Sequence, residues 1–338
     1  MRRTISICIL LFLIGCADES VLPPSNIDAS AGDVMVINEG GFQRGNASLG
    51  LYNFSTNTYQ PNIYKNVNGQ PVGDVFQSIG THDGDYWLVV NNSGKIVVID
   101  SSDYKIKHEI TGFKSPRYVH FYENEKAFVS DLYGNEIAVV NTQTYRIDNY
   151  IPIDGWTDQM DMVNGRLFVA NRERPFVFVV DPIAEVVVDS IPVAHNPNSL
   201  SVTRNNLVVV LCEGRLGSSD APVFQVIDSD SYNVIKEIEI DVGGKPSLLR
   251  VSPVNGNIYF ASKGIHFIHP VTFTLEDKII DLPEANVYGF DIDPVTGNFY
   301  VSDAKDYVKK SEVYVYKNSK TKTNQFMAGV ICNGFLFR

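Results

Sequence analysis

A short apolar run that closes on a small or polar residue returns seven times along this chain. That recurrence limits the possible folds more than any other feature. The runs are VMVIN ending at Asn38, WLVVN at Asn91, AFVSD at Asp131, LFVAN at Asn171, VVVLC at Cys212, IYFAS at Ser262 and FYVSD at Asp303, spaced 53, 40, 40, 41, 50 and 41 residues apart. A second run follows each, ending at Asn53, Asp100, Asn141, Asp181, Asp228, His269 and Lys317. Asp and Asn suit such ends because their side chains cap the backbone of a turn. Units of about 40–45 residues with four short strands are the blades of a β-propeller.

In the fourth unit the strands, named A to D from the axis outward, are DQMDMVNG (158–165), RLFVANR (166–172), FVFVVDP (176–182) and EVVVDSIPV (185–193). One blade cannot bury its own faces, so B and C read as continuous apolar runs rather than as strict alternation. The first unit begins at its B strand (34–38) and lacks an A strand, while ICNGFLFR (331–338) has the look of NPNSLSVTR (196–204), an A strand. The expectation is an all-β, seven-bladed propeller over residues 33–338, its ring closed by the C-terminal strand joining blade 1. A pair of β-sandwiches leaves the near-equal periods unexplained.

The N-terminus MRRTISICILLFLIGC pairs Arg2 and Arg3 with about a dozen apolar residues, too few for a hydrocarbon core that needs about 20. It reads as a signal peptide (1–15) ending in a lipobox, LIGC, that makes Cys16 the acylated first residue of the mature chain. Residues 16–32 then form a Pro/Ser/Gly-containing tether. Loss of the leader takes the formal net charge from −11 to −13, which disfavours nucleic acid and anionic membrane surfaces as partners. Attachment to a membrane therefore falls to the acyl chains, since two or three of them anchor stably where one is marginal. Cys212 and Cys332 are expected to be free, buried thiols.

The connections D–A and B–C of a propeller share one face, where function concentrates. Enzyme signatures are missing. GRLGSS (214–219) lacks the lysine of a phosphate-binding loop, and no GxSxG elbow occurs. His266 and His269 lie three apart on one strand and point to opposite faces, so they cannot share a metal. The loops do carry aromatic, amide, carboxylate and arginine groups suited to a large polar ligand. The candidates are Asn91, Arg117, Tyr118, Asp131, Tyr133, Asn135, Trp156, Gln159, Asn171, Arg172, Arg174 and Arg215, with Tyr288 nearby in type. No cofactor or metal is expected.

The segments VINEGGFQRGNASLGLYN (36–53), NGQPVGDVFQSI (68–79), VVNNSGKIVVID (89–100), SPRYVHF (115–121), FVSDLYGNEIAVVN (128–141) and GWTDQMDMVNGRLFVAN (155–171) resemble the YncE-like, BtuG-type cobalamin-binding surface lipoproteins of Bacteroidetes, also described as a domain of unknown function. The resemblance spans 34–338. It implies a propeller on the outer leaflet of the outer membrane that captures cobalamin and passes it to a TonB-dependent transporter of the BtuB type. Asp18 and Glu19 resemble the surface-export signal of such lipoproteins. Cys332 stands where relatives tend to have Pro, a departure that bears on ring closure rather than on binding. The resemblance carries no ligand-contact residues over, so the candidates above rest on the loop face alone. Two other functions compete with cobalamin capture. One is a binding module for a glycan or siderophore. The other is a lactonase-type enzyme, which needs carboxylates converging on the axis, whereas among the B-strand ends only Asp131 and Asp303 are acidic.

Overall fold

The computed structural model describes residues 32–215, 217–317 and 321–338. The signal peptide, Cys16 and almost all of the tether lie outside the described residues. Seven four-stranded antiparallel sheets form a ring of seven blades, with strands B and C in the middle of each. In blade 4 the strands are Thr157–Val163, Arg166–Asn171, Phe176–Asp181 and Val186–Pro192, each within about two residues of the ranges read from the sequence.

Alternation explains why B and C read as unbroken apolar runs. In the first B strand, Asp33–Asn38, the side chains of Val34 and Val36 pack on blade 7 beside Val313 and Tyr300, whereas Met35 and Ile37 pack on blade 2 beside Leu88 and Phe76. The same division gives seven apolar clusters, each shared between two neighbouring blades. At about 25 cal/mol per Å2 of apolar area removed from water, these seams are the main stabilising term. A blade excised from the ring would expose both of its faces.

The ring closes as the sequence reading expects. Cys332–Phe337 pairs antiparallel with Asp33–Asn38 and supplies the inner strand of blade 1. Cys212 and Cys332 are free and buried, and burial pushes the Cys332 thiol up to about 12. Two features depart from a regular propeller. A short helix, Ile63–Asn68, inserts between blades 1 and 2 and buries Ile63 and Tyr64 against the seam. The outer strand of blade 6 shrinks to Ile280–Asp281.

Candidate functional site

Just inside the top of every A strand, the pairing with strand B slips. The slips fall between Phe76 and Ser78, Pro116 and Val119, Thr157 and Met160, Pro197 and Ser199, Ser247 and Arg250, and Val287 and Gly289, and in blade 1 opposite the Ile37–Asn38 step. A β-bulge leaves a residue out of the ladder and re-aims it. The second residue of each A strand is left over: Gln77, Arg117, Asp158, Asn198, Leu248, Tyr288 and Asn333. All seven line one cavity of about 390 Å3 on the ring axis. It opens toward the D–A and B–C loops, so it lies on the face the sequence reading favours.

Charge in this well is paired. Arg117 donates from Nη1 to Gln77 Oε1 and from Nη2 to Asp158 Oδ2 at 3.2 Å; Arg172 Nη1 reaches the same oxygen at 3.5 Å. Asp158 is 1% exposed, so removing one guanidinium would leave a buried charge less compensated. Losing one partner of a buried pair costs about 3–5 kcal/mol. Burial works against the charge of Arg117, but Asp158, Tyr118 and Glu39 together outweigh it and hold its pKa above the ordinary arginine value. Arg250 donates from Nε to Asp291 Oδ1 at 2.6 Å, and the backbone N–H of Phe335 donates to Asp291 Oδ2 at 2.9 Å.

Glu39 follows the B strand of blade 1 and lines the well. Tyr288 Oη donates to its Oε2 at 3.1 Å, and Asn333 Nδ2 donates to its Oε1 at 3.2 Å. Burial raises the Glu39 carboxyl above the usual range, against the opposing pull of Arg117 and its two hydrogen bonds. Four atoms of the bulged ring have no partner among the described residues: Arg117 Nε, Asp158 Oδ1, Asn198 Oδ1 and Asn333 Oδ1, all shielded from solvent. Such a shortfall marks a layer whose hydrogen bonding is incomplete.

Of the twelve candidates, the structure brings Arg117, Tyr118, Gln159 and Arg172 together in the well. Four more form a rim sector on blades 3 and 4. There Tyr133 and Trp156 meet edge to face, with centroids 5.6 Å apart, and both are exposed; Arg174 pairs with Asp154 at 2.9 Å, and Asn135 Oδ1 accepts from Gly155 N at 3.2 Å. Arg215 lies exposed on the blade 5 loop beside His195. The remaining three are staples. Asp131 accepts from the backbone of Lys114 and Ser115, Asn171 Nδ2 donates to Asp154 O, and Asn91 Nδ2 donates to Pro116 O. Asp131 is 2% and Asn171 0% exposed, so these ends of the B strands hold the rim loops and do not face the well.

The structure corrects the count of axial carboxylates made from B-strand ends, since Asp158 enters from a bulge, Asp291 from an A strand, and Glu39 and Glu213 from the residue after a B strand. Asp131 and Asp303 point into loop backbone, while Glu39, Asp158, Glu213 and Asp291 line the well. Among the described residues, no group of three His, Cys, Asp or Glu could hold a metal ion. His266 is buried with Nε2 against Ser262 O, and His269 Nδ1 caps the next turn, accepting from Val271 and Thr272. Gln77, Asp158, Asn198, Leu248, Arg250, Asn333 and Glu39 escaped the sequence reading. The signal for most of them was the repeat itself, read at the second residue of each A strand.

Fold and site together define a seven-bladed propeller whose axis holds a polar, arginine-rich well on the loop face. By sequence, the chain belongs to the family described as a domain of unknown function, DUF5074, matched over residues 32–327. No curated protein matches the chain in sequence. Solved structures similar to it include a quinonprotein alcohol dehydrogenase-like protein from Bacteroides thetaiotaomicron, 13% identical, covering 91% of this chain and 78% of that one with a TM-score of 0.70. A putative 6-phosphogluconolactonase from Bacteroides fragilis is also 13% identical, covers 93% of this chain and 99% of that one, and has a TM-score of 0.69. A third is a dihydro-heme d1 dehydrogenase, NirN, 13% identical, covering 93% and 77% with a TM-score of 0.61. At such identities the likeness is one of fold, and its members differ widely in chemistry.

Proposed function

We propose that this protein is an outer-membrane surface lipoprotein, anchored through Cys16, that captures cobalamin on its loop face and delivers it to a TonB-dependent transporter. The observation that supports this reading best is the pairing of a polar axial well with exposed aromatics around it. Trp156 and Tyr133 stand on one side of the rim, and Phe42 and Tyr307 on blades 1 and 7. Pockets of about 300–1,000 Å3 suit drug-sized ligands. Cobalamin is far larger, so only a part of it enters a well of about 390 Å3 while the corrin body lies over the rim. Aromatic faces and amide groups match that body and its peripheral carboxamides. A ring fixed by seven packed seams needs little reordering to bind, which favours affinity. Three of the four axial carboxylates, Asp158, Asp291 and Glu213, are held in ion pairs, which favours a binding module over an enzyme. Calorimetric titration with cyanocobalamin tests the reading. Saturable one-to-one binding is expected, and no heat at concentrations well above the micromolar range would overturn it.

A further inference from the structure

Hydrogen-bond bookkeeping in the well is lopsided. Its carboxylates spend their oxygens inside the wall: Asp291 on Arg250 and Phe335, Glu39 on Tyr288 and Asn333, Glu213 on Lys245 and Asn196. The three oxygens left over, on Asp158, Asn198 and Asn333, are shielded from solvent. The guanidinium groups keep donors in reserve. Arg172 uses Nε and Nη1 on Asn196 and Asp158, and Arg250 uses Nε and Nη1 on Asp291 and Leu249 O, which leaves Nη2 of each uncommitted. Their side chains are 33% and 27% exposed. Both residues line the same cavity as Arg117, and Tyr118 on blade 3 lies within the fields of both Arg117 and Arg250. Among four carboxylates that each already accept bonds inside the wall, the well therefore offers an incoming group the open Nη2 donors of two guanidinium groups.

We propose that the axial well is a subsite for a single oxyanion, a phosphodiester or carboxylate borne by the ligand, held by Arg172 and Arg250 with Arg117 behind them. The planar fork of arginine matches two oxygens of such a group, and charge-assisted bonds are about twice as strong as neutral ones. The carboxylates behind the forks fix their orientation before the ligand arrives. A cationic arm meets carboxylates that already accept bonds inside the wall, and a purely apolar arm leaves the open guanidinium donors unpaired. On the capture reading, on which the identity of the ligand rests, the arm is the phosphodiester of cobalamin; the well itself can be tested without it.

The test follows the side-chain Nε–H resonances of the purified protein by nuclear magnetic resonance during titration with dimethyl phosphate, acetate and the neutral ester trimethyl phosphate. Dimethyl phosphate or acetate should shift the arginine signals saturably, the tighter of the two naming the oxyanion, and trimethyl phosphate should not. An equal response to the neutral ester, or no response at tens of millimolar anion, overturns the subsite. The paired variant Arg250→Gln/Asp291→Asn removes a donor without leaving a lone buried carboxylate. It should weaken the anion about tenfold or more while calorimetry shows the fold intact. Titration of both proteins with cyanocobalamin separates the two claims. If the anion binds and cyanocobalamin does not, the cobalamin reading falls and the subsite stands. If cyanocobalamin binds both proteins equally, the subsite falls and capture stands.

Discussion

Trp156 is 39% and Tyr133 55% exposed, and their rings meet edge to face across the blade 3–blade 4 rim. Rings that packed between blades would be buried like Trp87, which is 1% exposed. A central aromatic anchor costs about 2 kcal/mol or more when truncated, over tenfold in affinity. Trp156→Ala with Tyr133→Ala should thus weaken cyanocobalamin binding strongly and leave the melting temperature nearly unchanged. A double variant that melts early and still binds would show that the rim is structural. Glu39 yields a prediction with a defined sign. Its carboxyl is raised by burial above the ordinary value of 4.5, so the folded protein keeps that proton longer than the unfolded chain does. Below that pH both states are protonated and the group is neutral to stability. As pH rises, the unfolded chain gains by ionising first, and the folded state loses ground. Glu39→Gln removes this titration, so its melting temperature should climb relative to wild type as pH rises above the ordinary carboxyl value of 4.5. Melting curves that stay parallel across that range count against a raised Glu39.

The elements differ in how plainly the sequence announces them. Most B and C strands are bounded within a residue or two because both their faces are apolar and most end at or beside a residue that starts a turn or staples a loop. Outer strands are weaker signals: in blade 6 the segment 274–281 keeps only Ile280–Asp281 as strand, since its exposed side carries polar residues that many conformations tolerate. The helix Ile63–Asn68 lacks a capping side chain, with Asn62 left-handed at φ 57°, and forms because Ile63 and Tyr64 bury into the seam. That is a tertiary cause without a local signature. Most of the site was hidden for a related reason. A slip of one residue in register reverses which face a side chain takes, and no composition rule reveals the slip. Arg117 and Gln159 were legible as loop-proximal polar groups, whereas Asp158 between them was not. Blade 1 carries the element-scale prediction. Removing 331–338 strips Cys332–Phe337 from the fully buried strand Asp33–Asn38 and takes Asn333 out of the bulged ring. It also deletes Arg338, which donates to Tyr104 Oη at 2.6 Å on blade 2. An unpaired buried edge is a site for aggregation, so the truncated chain should melt well below the full-length protein. Cooperative melting at the full-length temperature would contradict closure by this strand.

On the scale of the whole molecule, anchor, ring and well are separable parts with separable tests. On this proposal the acyl anchor at Cys16 is joined to the propeller through residues 16–32, read from the sequence as a tether, so it should contribute nothing to the well. Cys16→Ala should therefore appear in soluble fractions with unchanged affinity for cyanocobalamin, and retention on the outer membrane would refute the anchor. The ring and the well, by contrast, are one object, because all seven blades lend a bulged residue to the cavity wall. A ligand seated there touches a structure that disappears if any seam opens, so its binding energy stabilises the ring as a unit. At a free concentration a hundredfold above Kd, a ligand specific to the folded state adds about 2.7 kcal/mol. For a domain of this size that shifts the midpoint by on the order of 5 °C. Cyanocobalamin should accordingly raise one cooperative transition, with no early-melting shoulder left behind, and the chain cut after residue 330 should show no such rise. A biphasic melt in which the ligand moves only the second phase would mean that the site belongs to a few blades rather than to the closed ring.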